Sequence, residues 1–191
     1  MPASILLRAA RSSGGLNQSA LAARARTSQP DISTIESGKR IPTVDTLERL
    51  LFNTGHRIVA VPGVGPDAVD TAERITNAVK ADSRDEALRA FLDYSDRLAS
   101  AGRAERVVLS FAEPPPTGST AWDAALAAVS DFWLSKSNLP KSDWVKQSKR
   151  FLQAPATPHL GEYDLEPDVD EVPTEFRRRN VLLERRTLGS V

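Results

Sequence analysis

Residues 16–40, LNQSALAARARTSQPDISTIESGKR, gather side chains whose chemistry is that of base and phosphate recognition. Gln29 carries an amide that can donate to N7 and accept from N6 of one adenine, while Ser33 and Thr34 offer hydroxyls to base edges and Thr34 a methyl to thymine. Gln18 opens a helical stretch where a backbone N–H and a side-chain amide both suit a phosphate oxygen. Ser28 and Arg26 stand in the turn ahead of Gln29. Lys39 and Arg40 close the segment as cations for the phosphodiester backbone, the sequence-independent share of such affinity. The spacing points to double-stranded DNA, whose major groove of about 12 Å admits a single helix.

These side chains need two short helices held crosswise on a compact support. Ile5, Leu6, Ala9 and Ala10 recur at helical spacing over residues 4–13, and Gly14 and Gly15 end that run. Asn17 is placed to cap a second helix from Gln18 to Ala25 that buries Leu21, Ala22 and Ala25. Ser28 caps a third, with Pro30 in its first turn and Asp31 near its positive end, anchored by Ile32 and Ile35. Gly38 stops it, and Thr43 opens a fourth carrying Leu47, Leu50 and Leu51 toward Gly55. His56–Val61 alternates and is β-branched, which predicts a short strand.

From Pro66 the helices lengthen. Ala68, Val69, Ala72, Ile75 and Val79 share one face of a helix over residues 67–81. Ser83 and Glu86 form a capping-box pattern before a second helix ended by Gly102. Arg106–Phe111 suits either a strand or the head of a helix, and the prolines at 114–116 end it. A further helix is expected over 121–136, with Ser119 as its cap, and a shorter one over 142–151. Trp122, Trp133 and Trp144 serve either a core or a partner surface. After Pro155 an acidic stretch with Glu162, Asp164, Glu166, Asp168, Asp170 and Glu171 reads as an extended arm, anchored again at Phe176. Its occupants are open: the arm suits the basic cleft of a partner protein or is a solvated linker. The basic tail at 176–186 is either a second phosphate contact or a salt-bridged face.

The 25 basic and 25 acidic residues cancel, yet the charge is segregated. Residues 1–62 hold eight basic residues, Arg8, Arg11, Arg24, Arg26, Lys39, Arg40, Arg49 and Arg57, against Asp31, Glu36, Asp45 and Glu48, a net +4. With no cysteine, disulfides and thiolate catalysis are excluded. His56 and His159 stand far apart without ligand spacing, GVGPDA at 63–68 lacks the G-K-[ST] ending of a phosphate loop, and no G-x-S-x-G elbow occurs. No enzyme, metal site or cofactor is predicted. No apolar run is long enough for a signal peptide or membrane span, so a cytoplasmic, nucleoid-associated location is expected.

The segment L-x-Q-x-x-L-A at Leu16, Gln18, Leu21 and Ala22, followed by S-Q-P-x-I-S-x-I-E-S-G-K-R from Ser28 to Arg40, resembles the XRE, or lambda-repressor/Cro-type, helix-turn-helix family. The resemblance implies that Gln18, Ser28, Gln29, Ser33, Thr34 and Lys39 face DNA and that Leu21, Ile32, Ile35 and Leu47 are core. The chain departs in the turn, where Arg26 stands in place of the usual glycine at a cost of about 1 kcal/mol. WDAALAAVSDFW, LPKSDWV and FRRRNVLLERRTL resemble the C-terminal regions of actinobacterial XRE-type regulators, which implies an antitoxin paired with a nucleotidyltransferase-like toxin. A one-component regulator that senses a small molecule through its helical second half is the alternative.

The expected architecture is mainly α. A four- to five-helix, lambda-repressor-like head with a short strand covers 1–62, a helical dimerisation or partner-binding domain 63–155, and an acidic arm with a basic tail 156–191. One reading helix touches few base pairs, so a homodimer on a palindromic operator follows, with Arg57–Val61 as a candidate seam.

Overall fold

The computed structural model describes residues 2–59, 65–158 and 167–188. The chain divides into two compact units, Met1–Pro62 and Gly63–Val191. In the first, four helices are described: α1 Ala3–Ser13, α2 Gln18–Arg24, α3 Gln29–Glu36 and α4 Val44–Phe52. Their starts follow local chemistry. Asn17, Ser28 and Thr43 each accept a hydrogen bond from the backbone N–H three residues on, relieving orphan donors of the first turn. Gly38 takes φ +73 and Gly55 φ +82 just beyond α3 and α4, conformations that cost glycine nothing.

Leu7, Ala10, Leu21, Ala22, Ala25, Ile32, Ile35, Leu50 and Leu51 form the core of this unit. The expected anchors of α2 and α3 are buried. On α1 the anchor is Leu7, while Ile5 and Leu6 are only half-buried. Three apolar residues in a row allow either phase of a short helix, and packing against α3 and α4 selects Leu7. The expected strand at 56–61 is corrected: residues 56–59 are irregular, and Ala60 and Val61 lie outside the described residues. β-branched alternation needs a neighbouring strand to pair with, and the first unit offers none among its described residues.

The second unit packs α5 Ala68–Lys80, α6 Arg84–Ser100, α7 Arg103–Leu109, α8 Thr120–Lys136 and the single-turn α9 Thr174–Arg177. α8 lies at its centre, with Trp122, Ala125, Leu126 and Val129 buried against Phe91, Ile75 and Phe176 in one cluster. Arg106–Phe111 resolves as the end of a helix, α7, followed by a turn. Ser119 caps α8 as expected, accepting from Trp122 N–H. The capping box, however, sits at Asp67 and Asp70, ahead of α5; Ser83 starts α6 without a side-chain cap bond. Residues 142–151 form two 3-10 turns, Asp143–Lys146 and Ser148–Arg150, because Gln147 between them is extended at φ −64, ψ 140.

The tail is folded rather than extended where it is described. Phe176, Val181, Leu183 and Leu188 belong to the core cluster. Ala156 N–H donates to Asn180 O at 2.9 Å and Leu182 N–H to Ala156 O at 2.9 Å, tying the 150s to the tail. Ser95 Oγ donates to Leu188 O at 2.7 Å. Trp122 and Trp144 are buried, and Trp133 is half-buried with Nε1 donating to Ser95 Oγ at 3.1 Å, so the tryptophans serve the core.

Charge inside this unit is paired. Asp131 and Arg179 are each 1% exposed; Arg179 Nη1 meets Asp131 Oδ2 at 2.8 Å, Lys141 Nζ meets Oδ1 at 2.6 Å, and Arg178 also donates to Oδ2. Burial pushes the Asp131 carboxyl up, but Lys141, Arg179 and Arg178 outweigh it and hold the group below the usual carboxylate range. The basic tail is therefore salt-bridged at Arg178 and Arg179, and Arg186 pairs with Glu184. Arg106 reaches the carbonyls of Leu98, Ala99 and Ala101, closing the C-terminus of α6.

Candidate nucleic-acid interface

α2 and α3 pack directly on one another, joined by residues 25–28. The turn depends on Arg26, which adopts φ +51, the left-handed conformation that its place in the motif demands despite a side chain. Thr27 N–H donates to Ala22 O at 3.0 Å and closes the end of α2. Ser28 then caps α3, whose N-terminal turn carries Gln29 and Ser28 at the surface.

Gln29 is not left to swing. Its Nε2 donates to Gln18 Oε1 at 2.7 Å, and Gln18 Nε2 donates in turn to Glu36 Oε2 at 2.9 Å. Glu36 is 3% exposed and receives Arg11 in a two-pronged pair, Nε to Oε1 at 2.6 Å and Nη2 to Oε2 at 2.9 Å. Arg8 Nη2 donates to the Glu36 carbonyl at 2.5 Å. A relay thus runs from α1 through the last residue of α3 and the first of α2 to the Gln29 amide. Because Gln18 accepts at one end and donates at the other, both amide orientations follow from the bonding pattern. Gln29 keeps one N–H and its carbonyl oxygen unused by this relay, a donor and acceptor pair of the kind that complements an adenine edge.

The remaining predicted residues fall into distinct settings. Arg26, Ser28, Gln29, Lys39 and Arg40 are exposed, while Gln18, Ser33 and Thr34 are half-buried. Thr34 Oγ1 donates back to Asp31 O at 2.9 Å, leaving its methyl and an acceptor lone pair for a partner. Gln18 spends its side chain inside the relay, so a phosphate is left to its backbone N–H. Arg40 Nη1 pairs with Asp31 Oδ1 at 3.0 Å, and Asp31 Oδ2 also accepts from Ser28 Oγ at 2.7 Å and Thr27 Oγ1 at 3.1 Å. The Ser28 and Thr27 hydroxyls, with Arg40 beside them, hold the Asp31 carboxyl below its ordinary value. Lys39 has no acidic partner among the described residues.

A family model for a helix-turn-helix domain matches residues 4–51. The first unit carries a helix-turn-helix domain. Its match begins in α1 and ends in α4, so the four helices described above are the elements of that domain. No curated protein and no solved structure matches the chain.

The sequence carries no sign of the Arg11–Glu36–Gln18 strut behind Gln29. In the sequence Arg8, Arg11 and Glu36 count only as charge, because Arg11 lies on α1 and Glu36 at the end of α3, with α2 between them. Of the expected partner-binding residues, Glu162, Asp164 and Glu166 lie outside the described residues. Asp168, Asp170 and Glu171 are exposed on the short turn Val169–Glu171 and its flank. Phe176 is fully buried and is corrected from a partner anchor to a core residue: its ring packs 6.4 Å from Phe132. Among the described residues no group of three or more His, Asp or Glu could hold a metal ion, and none of the described helices is long and apolar enough to cross a membrane.

Proposed function

We propose that the protein is a sequence-specific DNA-binding transcriptional regulator that represses its own operon as a dimer on a palindromic operator. The observation that carries this reading is the relay Glu36–Gln18–Gln29, which presents a fixed, half-satisfied amide on the exposed end of α3. The helix-turn-helix match and the exposed cations Arg26, Lys39 and Arg40 support it. In this reading both units bind and neither catalyses. The test is a salt series of binding to DNA from upstream of the protein's own gene. Specific binding that weakens steeply with salt, and that loses about 1–3 kcal/mol of discrimination in Gln29→Ala, supports the reading. Binding indifferent to both overturns it.

For the second unit we propose a partner-binding role, that of an antitoxin toward a basic, nucleotide-handling toxin. The resemblance of the C-terminal segments supports it, as do the exposed carboxylates of Asp168, Asp170 and Glu171. Removing residues 156–191 would not test this, because it takes Phe176, Val181, Leu183 and Leu188 out of the core. Asp168→Asn, Asp170→Asn, Glu171→Gln together leave the core intact. Loss of complex formation with the product of the adjacent gene is the expected result; a regulator that answers instead to a metabolite, with no protein partner, is the one-component sensor.

A further inference from the structure

The helix-turn-helix domain exposes large apolar side chains in one stretch of its sequence: Ile41 at 88%, Phe52 at 63%, and Val44, Ile58 and Val59 beside them. The other large exposed hydrophobics among the described residues, Val108, Phe151 and Val169, are scattered singly, which is ordinary for a surface. On α4 the exposed side presents Val44, Asp45, Glu48, Arg49 and Phe52, while Leu50 and Leu51 face the core. Just past the helix the Arg57 guanidinium lies over the Phe52 ring, 5.8 Å from its centroid.

The strip is therefore apolar at both ends, acidic at Asp45 and Glu48 and basic from Arg49 to Arg57. Such a surface is complementary to itself only when inverted. A two-fold turn sets Arg57 of one copy against Asp45 and Glu48 of the other and Val44 against Phe52, whereas a parallel arrangement sets acid on acid. We infer that this strip is the self-association face of the domain, occupied by the antiparallel α4 strip of a second copy. Gln18, Gln29, Ser33 and Thr34 lie outside it, so the reading residues stay free when it is covered. The inference rests on the proposed function for its purpose, a two-fold operator, but its test needs no DNA.

That test is sedimentation equilibrium of the full chain, without DNA, from low-micromolar to sub-millimolar concentration. The native chain is expected to self-associate. Glu48→Arg and Arg57→Glu should each weaken association on the order of tenfold, the double variant should recover most of the loss, and Phe52→Lys should weaken it at least as much. All three side chains are exposed, so thermal melts should be unchanged. A native chain that stays monomeric throughout, a dimer indifferent to these changes, or a double variant no better than the singles overturns the inference. A charge swap that behaves as expected in a chain without DNA affinity removes the regulatory reading and leaves the interface.

Discussion

The side-chain amide of Gln29 donates to that of Gln18 at 2.7 Å, so the helix that would read bases is aimed by the helix that supports it. Gln18→Ala and Gln29→Ala should then differ in kind. Gln29→Ala removes the bidentate contact itself, about 1–3 kcal/mol of discrimination at one base pair. Gln18→Ala leaves the contact possible but unaimed, so it should lose a smaller part of that discrimination. Lys39→Ala should weaken binding to all sequences alike and flatten the log–log salt slope by about 0.9. Competition titrations with operator and single-substituted operators separate the three; equal effects of Gln18→Ala on every sequence would assign Gln18 to phosphate alone.

Much of the head was legible because three of its four described helices begin at a capping side chain and each ends at a glycine, an asparagine or a turn. Asn17, Ser28 and Thr43 act as sequence reasoning expects, as do Ile32 and Ile35 in the core. The strand at 56–61 failed because alternation records only a local preference, and pairing requires a neighbour that the sequence does not reveal. The tail was legible in part: of the two readings of its basic run the salt-bridged one holds at Arg178 and Arg179, but their partner, Asp131, lies more than forty residues earlier in the chain and Arg179 is buried against it. Local pattern carries no trace of such a pairing.

Arg11 and Glu36 form a nearly buried, two-pronged pair, so losing one partner should cost more than losing both. Arg11→Met strands the Glu36 carboxylate and should destabilise the head by about 3–5 kcal/mol. Arg11→Met with Glu36→Leu should recover part of this stability, since no buried charge is left unpaired, while DNA discrimination stays impaired because Gln18 has lost its acceptor. Chemical denaturation and operator binding, measured on the same two variants, check the separation. A double variant as unstable as the single would show that the pair contributes packing rather than charge compensation.

The Asp131 cluster predicts how the second unit responds to acid. The folded carboxyl lies below its ordinary value of 3.8, so its contribution to stability is full above that value and is lost as the pH falls through the folded pKa. Asp131→Asn should remove this acid-dependent part. It should also cost about 3–5 kcal/mol at neutral pH, because Arg179 would remain buried without its counter-charge. The check is urea denaturation of native and variant protein between neutral pH and about pH 3, below the ordinary carboxylate value. Parallel stability curves for the two would contradict the assignment.

Tyr94 gives the alkaline counterpart. Its hydroxyl is buried among Ser110 and Ser130, with oxygen distances of 3.3 Å and 3.0 Å, and burial pushes its pKa from 10.0 to about 12. The neutral form is the one the fold holds, so stability is full below the unfolded value of about 10 and declines as the pH rises above it. Ultraviolet titration should show one of the chain's 2 tyrosines resisting ionisation until about pH 12 or until the second unit unfolds. Tyr94→Phe should abolish that late step. It should also destabilise the unit by about 1 kcal/mol, because Ser110 Oγ and Ser130 Oγ still donate to the carbonyls of Arg106 and Leu126 and lose only a shared partner. Ionisation of both tyrosines together near pH 10 in the folded protein would show that the hydroxyl is open to water, and with it the packing of α6 against α8.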